Sequence, residues 1–470
     1  MASIERASWP DVGTRPSAAP GFHALAWRWH FYAGLYVVPF LLMLAVTGAV
    51  MVFFTGFQTR LGPVVHVTPQ AAVQPVSAQA QSVMEMRLQG ALLEYVAPRA
   101  ADEASWFLVA RDGLTEAVAV DPYTAQVLHL VNKDDTLFAW AQRIHGTLLI
   151  GDAGDRLIEI AAGFGVMMIV TGLYLWWPRG GTRWVQVLAP DLRLKGRLWW
   201  RSLHGSVGFW LSAVLLMFLL TGLAWTGIWG GRIVQPWGSF PAEKWDNVPV
   251  SGATHATLNP SGQHEVPWGL EQTPLPASGS SAGTVGVPAG RAVNLDTVAA
   301  LAKQLGFDGQ HHIQLPQNPA GVFTISADTM SGDLRNPTRD RTVHVDRYSG
   351  RVIAEVGFAD YSPMAKGMAV GIALHQGDLG WWNATLNLLF CAGVAFLCVS
   401  GMVMWWKRRP ARSGWRVLAP PAPRDPALWK GGAVVMCGVA LAFPLSGAVL
   451  LAVLLLDSLV VSRRPARVAS

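Results

Sequence analysis

Residues 29–48 read WHFYAGLYVVPFLLMLAVTG, and residues 203–222 read LHGSVGFWLSAVLLMFLLTG. Each stretch opens on a histidine, His30 or His204, and each closes on a Thr-Gly pair, Thr47-Gly48 or Thr221-Gly222. Both are long enough to cross a bilayer, which takes about 20 largely apolar residues in a helix. Three more apolar runs join them, so the expected spans lie near 31–54, 155–177, 205–228, 384–406 and 431–458. Only 14% of the 470 residues are charged while 51% are hydrophobic, and the mean hydropathy is +0.30. Soluble domains carry about 25% charged residues, so the composition points to a membrane protein. The first run exceeds a signal-peptide core and has no small-residue cleavage site after it, so it reads as retained.

Basic residues set the expected orientation. Arg179, Arg183, Arg193, Lys195, Arg197 and Arg201 crowd residues 178–203, and Lys407, Arg408, Arg409, Arg412, Arg416, Arg424 and Lys430 crowd residues 407–430. Both loops then face the cytoplasm with the Pro-rich N-terminus, and segments 55–140 and 230–380 face outward. Paired tryptophans such as Trp176-Trp177 and Trp405-Trp406 suit an interfacial belt. The net charge of +6 and pI near 9.4 therefore need no nucleic acid. Arg463, Arg464 and Arg467 fit this topology poorly unless Pro444 kinks the fifth span or makes it re-enter. Cys391, Cys398 and Cys437 all fall in apolar runs and read as small buried hydrophobes.

The chain repeats itself. TGLYLWWPRGG from Thr171 matches SGMVMWWKRRP from Ser400, and RIHGTLLIGDAG, with His145, stands where IALHQGDLGWW, with His375, stands in the second half. Between the spans, VAVDPYTAQVL from Val118 matches VHVDRYSGRVI from Val343. Its alternation predicts two strands around a turn at Tyr-Thr-Ala or Tyr-Ser-Gly. A helix is expected before each copy, over about 79–94 and from Asn294, with Asn294 or Asp296 as cap. Residues 249–290, rich in Ser, Gly, Pro and Thr, read as a flexible insertion.

The plan is a tail (1–28), span one (29–54), outer domain (55–140), span two with a preceding interfacial segment (141–178), loop (179–203) and span three (204–229). A second outer domain (230–380), span four (381–406), loop (407–430), span five (431–460) and a basic tail (461–470) follow. The duplication is parallel, so a two-fold axis along the membrane normal brings His30 to His204 near the inner face and His145 to His375 near the outer one. Imidazole is a standard axial ligand of haem iron. The absence of C-x-x-C-H makes any haem a non-covalent, b-type group, two per chain. The competing reading of each histidine is an interfacial polar residue or proton relay. Its recurrence at duplicated positions on both faces favours ligation. His23 is a spare ligand candidate. His66, His129, His255, His264, His311, His312 and His344 are expected to be mostly solvated, with His311-His312 able to touch iron or substrate as the lesser reading. The Thr-Gly pairs read as helix-packing sites.

These residues resemble the PepSY-associated transmembrane family. The likeness rests on RWHFYAGLYVVPFLLMLAVTG, HGTLLIGDAGDRLIEIAAGFGVMMIVTGLYLWWPR, WWRSLHGSVGFWLSAVLLMFLLTG, VSGMVMWWKRR and the two V-x-V-D-x-Y units, over about residues 25–410. It implies a membrane α-helical fold of duplicated helix–PepSY–helix units, four core spans and a fifth, with two small α+β periplasmic domains. It further implies a bacterial inner-membrane, multi-pass ferric-siderophore reductase whose haem b groups sit on His30, His204, His145 and His375. The reaction would take Fe(III) in a periplasmic siderophore to Fe(II), loosening a hard-oxygen chelate. No G-x-G-x-x-G follows a strand, so the electrons would come from a separate flavin, flavoprotein or quinol. The competing classes are a non-redox PepSY-type regulator of a periplasmic peptidase and a transport-associated membrane protein.

Overall fold

A computed structural model describes residues 21–86, 89–179, 184–238, 244–259, 265–409, 434 and 437–462. His264, most of the N-terminal tail, most of the 407–430 loop and the three arginines of the basic tail lie outside the described residues. Helix α1 runs Gly21–Phe57 and α2 runs Val76–Met86. Strands β1 Ala91–Val96, β2 Ser105–Arg111, β3 Leu114–Val120 and β4 Val127–Asn132 follow. Then come α3 Leu137–Thr147, α4 Asp152–Trp176, the short α5 Val185–Leu188, α6 Gly196–Leu223 and the short α7 Gln235–Gly238. The second half adds β5 Val250–Thr254, β6 Pro274–Pro276, α8 Leu295–Gln304, β7 His312–Gln314 and β8 Val322–Ala327. It ends with β9 Arg341–Asp346, β10 Val352–Gly357, α9 Pro363–Gln376, α10 Trp381–Arg408 and α11 Pro444–Ser462.

Among the described residues, four helices are long and apolar enough to cross a membrane: α1, α4, α6 and α10. They pack in a ring, α1 on α4, α4 on α6, α6 on α10 and α10 on α1, so the two histidine-bearing helices α1 and α6 stand diagonally. The apolar stretch of α11 is shorter. The chain bends at Phe443, ahead of Pro444, and α11 lies on α4, with Ser446 Oγ bonded to the Ile160 carbonyl. Glu159, buried inside α4, accepts from the backbone N–H groups of Ile228 and Trp229, where α6 has ended and a π-helical turn, Trp229–Val234, begins. This explains a charge in an otherwise apolar span.

The two expected outer domains are one. Their strands form a single eight-stranded sheet in the order β10-β9-β8-β7-β1-β2-β3-β4. The halves meet where β1 pairs antiparallel with β7, Tyr95 opposite Ile313, and the order reads as a palindrome about that seam. One face carries α2 and α8, and Val83, Val298 and Leu301 pack there against Phe107, Val118, Ile313, Ile325 and Val343. Ser77 bonds Asp296 across the two helices.

The matched hairpins form as their sequence requires. Asp121 accepts from the Tyr123 N–H, and Asp346 from the Tyr348 and Ser349 N–H groups, each fixing a tight turn. The turn needs a left-handed residue: Gly350 supplies it at φ +66°, and Ala125 adopts it at φ +57°. Asn294 caps α8 through a capping box with Thr297.

Other expectations fail. Residues 79–94 are not all helical, because 91–96 form a strand wedged between β2 and β7. Residues 249–290 are not a flexible insertion in their described part. Val266, Trp268 and Leu270 are buried with Trp245, Met330, Val356 and Tyr361, and Thr284 bridges to Val352. A few apolar anchors order the segment against its polar composition. Cys437 is also exposed, whereas Cys391 and Cys398 are buried.

Candidate functional site

Each of the four histidines meets a hydroxyl on another helix. His30 Nδ1 lies 3.0 Å from Thr171 Oγ1, and His204 Nδ1 lies 2.8 Å from Ser400 Oγ. His145 Nδ1 lies 2.9 Å from Thr47 Oγ1, and His375 Nδ1 lies 2.7 Å from Thr221 Oγ1. The hydroxyl proton is already committed. Thr47, Thr171 and Thr221 each donate it to the carbonyl four residues back, and Ser400 to Leu397. With its proton on that carbonyl the oxygen is placed to accept from the histidine, an arrangement that puts the proton on Nδ1 and leaves the lone pair on Nε2.

The residue after each hydroxyl is a glycine that lies against the ring, and at Gly172 a side chain would crowd it. A Cβ would stand 3.5 Å from His145 Cε1 at Gly48, 3.1 Å from His30 Cε1 at Gly172, and 3.7 Å from the matching atom at both Gly222 and Gly401. The [Thr/Ser]-Gly pairs are thus histidine anchors, which corrects their reading as packing sites alone. Sequence reasoning missed all four hydroxyls as site residues. The signal was their recurrence in the repeat, but the partner histidine comes from a different helix.

The anchored rings come together in two pairs. His30 and His204 have ring centroids 6.5 Å apart at 90°, and His145 and His375 have centroids 6.5 Å apart at 75°. Each pair takes one ring from each half of the chain. Along α1, 17 residues separate His30 from Thr47, so the two pairs lie roughly 25 Å apart along the helix axis. We call the pair next to the sheet the sheet-side pair and the other the far-side pair. Neither sheet-side histidine is carried by a spanning helix, since His145 sits on α3 and His375 on α9. The layer between the pairs is apolar. Phe218 stacks on Phe390 and packs against His375, and Ala45, Cys391, Val394 and Cys398 surround them.

The donor set fits haem. Among the described residues, no group of three or more His, Cys, Asp or Glu side chains gathers as for a bare ion. Two opposed imidazoles suit an iron whose equatorial ligands come from a macrocycle. A metal–imidazole bond is about 2.0 Å, and adding roughly 1.1 Å from nitrogen to ring centre on each side gives centroids about 6.2 Å apart for two rings that face each other through Nε2. The observed separation is 6.5 Å for both pairs. Among the described residues, buried polar atoms without a partner are His23 Nδ1, Arg197 Nε, Trp405 Nε1 and Arg409 Nε on elements at the far side, Gln142 Oε1, Arg143 Nε and Asp378 Oδ2 on elements at the sheet side, and Thr273 Oγ1, Thr342 Oγ1 and the Tyr361 hydroxyl elsewhere.

Above the sheet-side pair lies a charged network that the sequence did not disclose. Arg60 bonds the Met330 carbonyl and Gln376, and lies 3.6 Å from Asp378. Burial pushes the Asp378 carboxyl up to about 7 against the pull of Arg60. Deeper in the sheet, His312 contacts Glu94 at 2.5 Å and Asp333 at 3.0 Å. These two carboxylates hold it well above the usual imidazole range despite its burial. Burial, with Asp333 nearby, raises Asp328 to about 7, and burial beside Asp328 raises Asp340 to about 8.

The other histidines divide. His66 and His129 are exposed as expected. His255, His344, His311 and His312 are buried, against expectation. His255 Nε2 meets His344 Nε2 at 2.9 Å inside the sheet core, and burial holds both well below the usual range. His312 spends both nitrogens on carboxylates, so it has none to offer iron. His23 joins neither pair.

A family profile described as the PepSY-associated TM region matches residues 27–408. No curated protein matches the chain.

Proposed function

The chain belongs to the PepSY-associated transmembrane family, a multi-pass membrane protein, and from that premise we propose that it is a di-haem electron conduit and ferric-siderophore reductase. In this reading the chain lies in a bacterial inner membrane, with the far side cytoplasmic and the sheet side periplasmic. His30 and His204 would hold one haem b, and His145 and His375 the other. When bound, these groups supply reversible one-electron chemistry at iron. The protein's own contribution is positional. The hydroxyl anchors fix the tautomer of each imidazole and aim its lone pair into the bundle, the second-shell role that such hydrogen bonds play at metal sites. The apolar layer between the pairs excludes water and ions from the path.

One electron, delivered at the far side by a separate flavin, flavoprotein or quinol, crosses to the sheet side and converts Fe(III) in a siderophore to Fe(II). The hard oxygen ligands hold the reduced ion less firmly, and the chelator survives. The sheet and the Arg60 network would receive the chelate. The observation that carries this reading is the mirrored pair of imidazole couples, one ring from each half of the chain and every Nδ1 on a hydroxyl of another helix.

The test is spectroscopic. Purified protein is expected to show a Soret band, and His30→Ala and His375→Ala are each expected to remove about half of it. A colourless protein, or a band indifferent to both substitutions, contradicts the reading.

A further inference from the structure

Four basic residues stand at matching places beyond the far-side pair. His23 precedes His30 by seven residues on α1, and Arg197 precedes His204 by seven on α6. Arg179 follows Thr171 by eight residues, and Arg408 follows Ser400 by eight. Seven residues are two helical turns, which puts His23 and Arg197 on the same faces as the paired histidines and about 10 Å beyond them.

The four fall into two couples of nitrogen donors, one per half. Arg179 lies near His23, and Arg408 lies near Arg197. Among the described residues, no carboxylate pairs with His23 or Arg197, and the buried His23 Nδ1 and Arg197 Nε have no hydrogen-bond partner. Trp405 Nε1, on the turn after Ser400, is another buried donor without one.

Topology accounts for basic residues at a membrane face. It does not account for buried nitrogens without partners, which cost free energy until something accepts their hydrogen bonds. Nor does it account for the repetition of both couples at the same distances from the histidine pair.

We propose that these residues are a carboxylate cradle for the far-side tetrapyrrole. One ring carboxylate would lie between His23 and Arg179, and the other between Arg197 and Arg408. The proposal rests on the haem reading above and orients the ring, with its carboxylates away from the sheet. Among the described residues the sheet-side pair shows no equivalent: its unpartnered atoms are an amide oxygen, one guanidinium nitrogen and a carboxylate oxygen, and they do not match between halves.

The experiment uses the full chain carrying His375→Ala, which leaves the far-side pair intact. Apoprotein is titrated with haem and with haem dimethyl ester, whose carboxylates are masked, and binding is read from the Soret band. Charge-assisted hydrogen bonds contribute about 1.5–3 kcal/mol, so haem is expected to bind roughly 10- to 100-fold more tightly than its ester. Adding Arg197→Gln is expected to reduce that ratio about tenfold, and Arg197→Lys to preserve most of it.

Equal affinity for acid and ester overturns the cradle and leaves the haem reading standing. Failure to bind either ring overturns the haem reading itself. An unchanged ratio in Arg197→Gln, with loss of co-purified anionic lipid by mass spectrometry, assigns the couples to lipid headgroups and also overturns the cradle. If Arg197→Gln does not accumulate, His23→Leu tests the other couple, and an unchanged ratio there is equally fatal.

Discussion

The far-side and sheet-side histidine pairs use the same anchor and differ in what supports it. His30 and His204 ride on spanning helices, so their placement follows from the packing of the bundle. His145 and His375 ride on the short helices α3 and α9, which must be held from outside. Asn387 Nδ2 bonds the Leu374 and His375 carbonyls, and Asn383 Nδ2 bonds Leu374 as well, satisfying acceptors at an α-helix C-terminus. In the first half a backbone contact replaces them, because Gly154 sits against the Thr147 carbonyl. The far-side pair is therefore a property of the bundle, and the sheet-side pair a property of how bundle and sheet are joined.

The sharpest way to break that comparison is Gly154→Ala. The new Cβ would stand 1.7 Å from the Thr147 oxygen, so α3 must shift and take His145 with it. The expected result is loss of the sheet-side haem with the far-side haem retained, read by potentiometric titration of the two components. Retention of both would mean that α3 is not held this way.

Next in size is the loss of a hydroxyl. Thr221→Val leaves the His375 N–H without its acceptor, and second-shell changes of this kind cost about 10- to 100-fold in metal affinity. Thr171→Val should cost the far-side haem a similar factor through His30. Haem-transfer rates to apomyoglobin measure both, and a strong effect at one pair with none at the other would deny that the anchors are equivalent.

Titration separates the regions more gently. Asp328 and Asp340, raised to about 7 and about 8, keep protons in the folded sheet that the unfolded chain releases near pH 4. The folded state then binds more protons across this window, and stability falls as pH rises through it. His312, raised by its carboxylates, loses its contribution in the same direction above its unfolded value near 6.5. His255 and His344 act oppositely, destabilising the fold below about pH 6.5. Sheet unfolding followed by circular dichroism is thus expected at a lower temperature at pH 8.5 than at pH 6.5, by a few degrees for each kcal/mol. Asp340→Asn should flatten the profile, and an unchanged profile would contradict the assignment.

The smallest effect compares the hairpins. Ala125 holds a left-handed conformation that Gly350 adopts without strain. Ala125→Gly is expected to stabilise the sheet by less than about 1 kcal/mol, read as a slightly higher melting temperature. A fall would show that the entropy of the freer unfolded chain outweighs the relieved strain.

Much of this was legible in the residues. Apolar runs marked the four long helices, the D-x-Y repeat marked both hairpins, and duplication placed His30 with His204 and His145 with His375. What stayed hidden was tertiary. The seam between β1 and β7 joins strands more than 200 residues apart, and β7 is only His312–Gln314, too short to announce itself. Composition misrepresented 249–290 because Trp268 and Leu270 order it against the Ser and Gly around them. A Thr-Gly pair looks like any packing motif until a histidine arrives from another helix.

The most direct measurement of the central claim is haem per chain in purified protein, by pyridine haemochromogen against quantitative amino-acid analysis. The account predicts two, falling to one in either His30→Ala or His375→Ala. Protein that stays free of haem after expression with excess haem, or whose content ignores both substitutions, would contradict it.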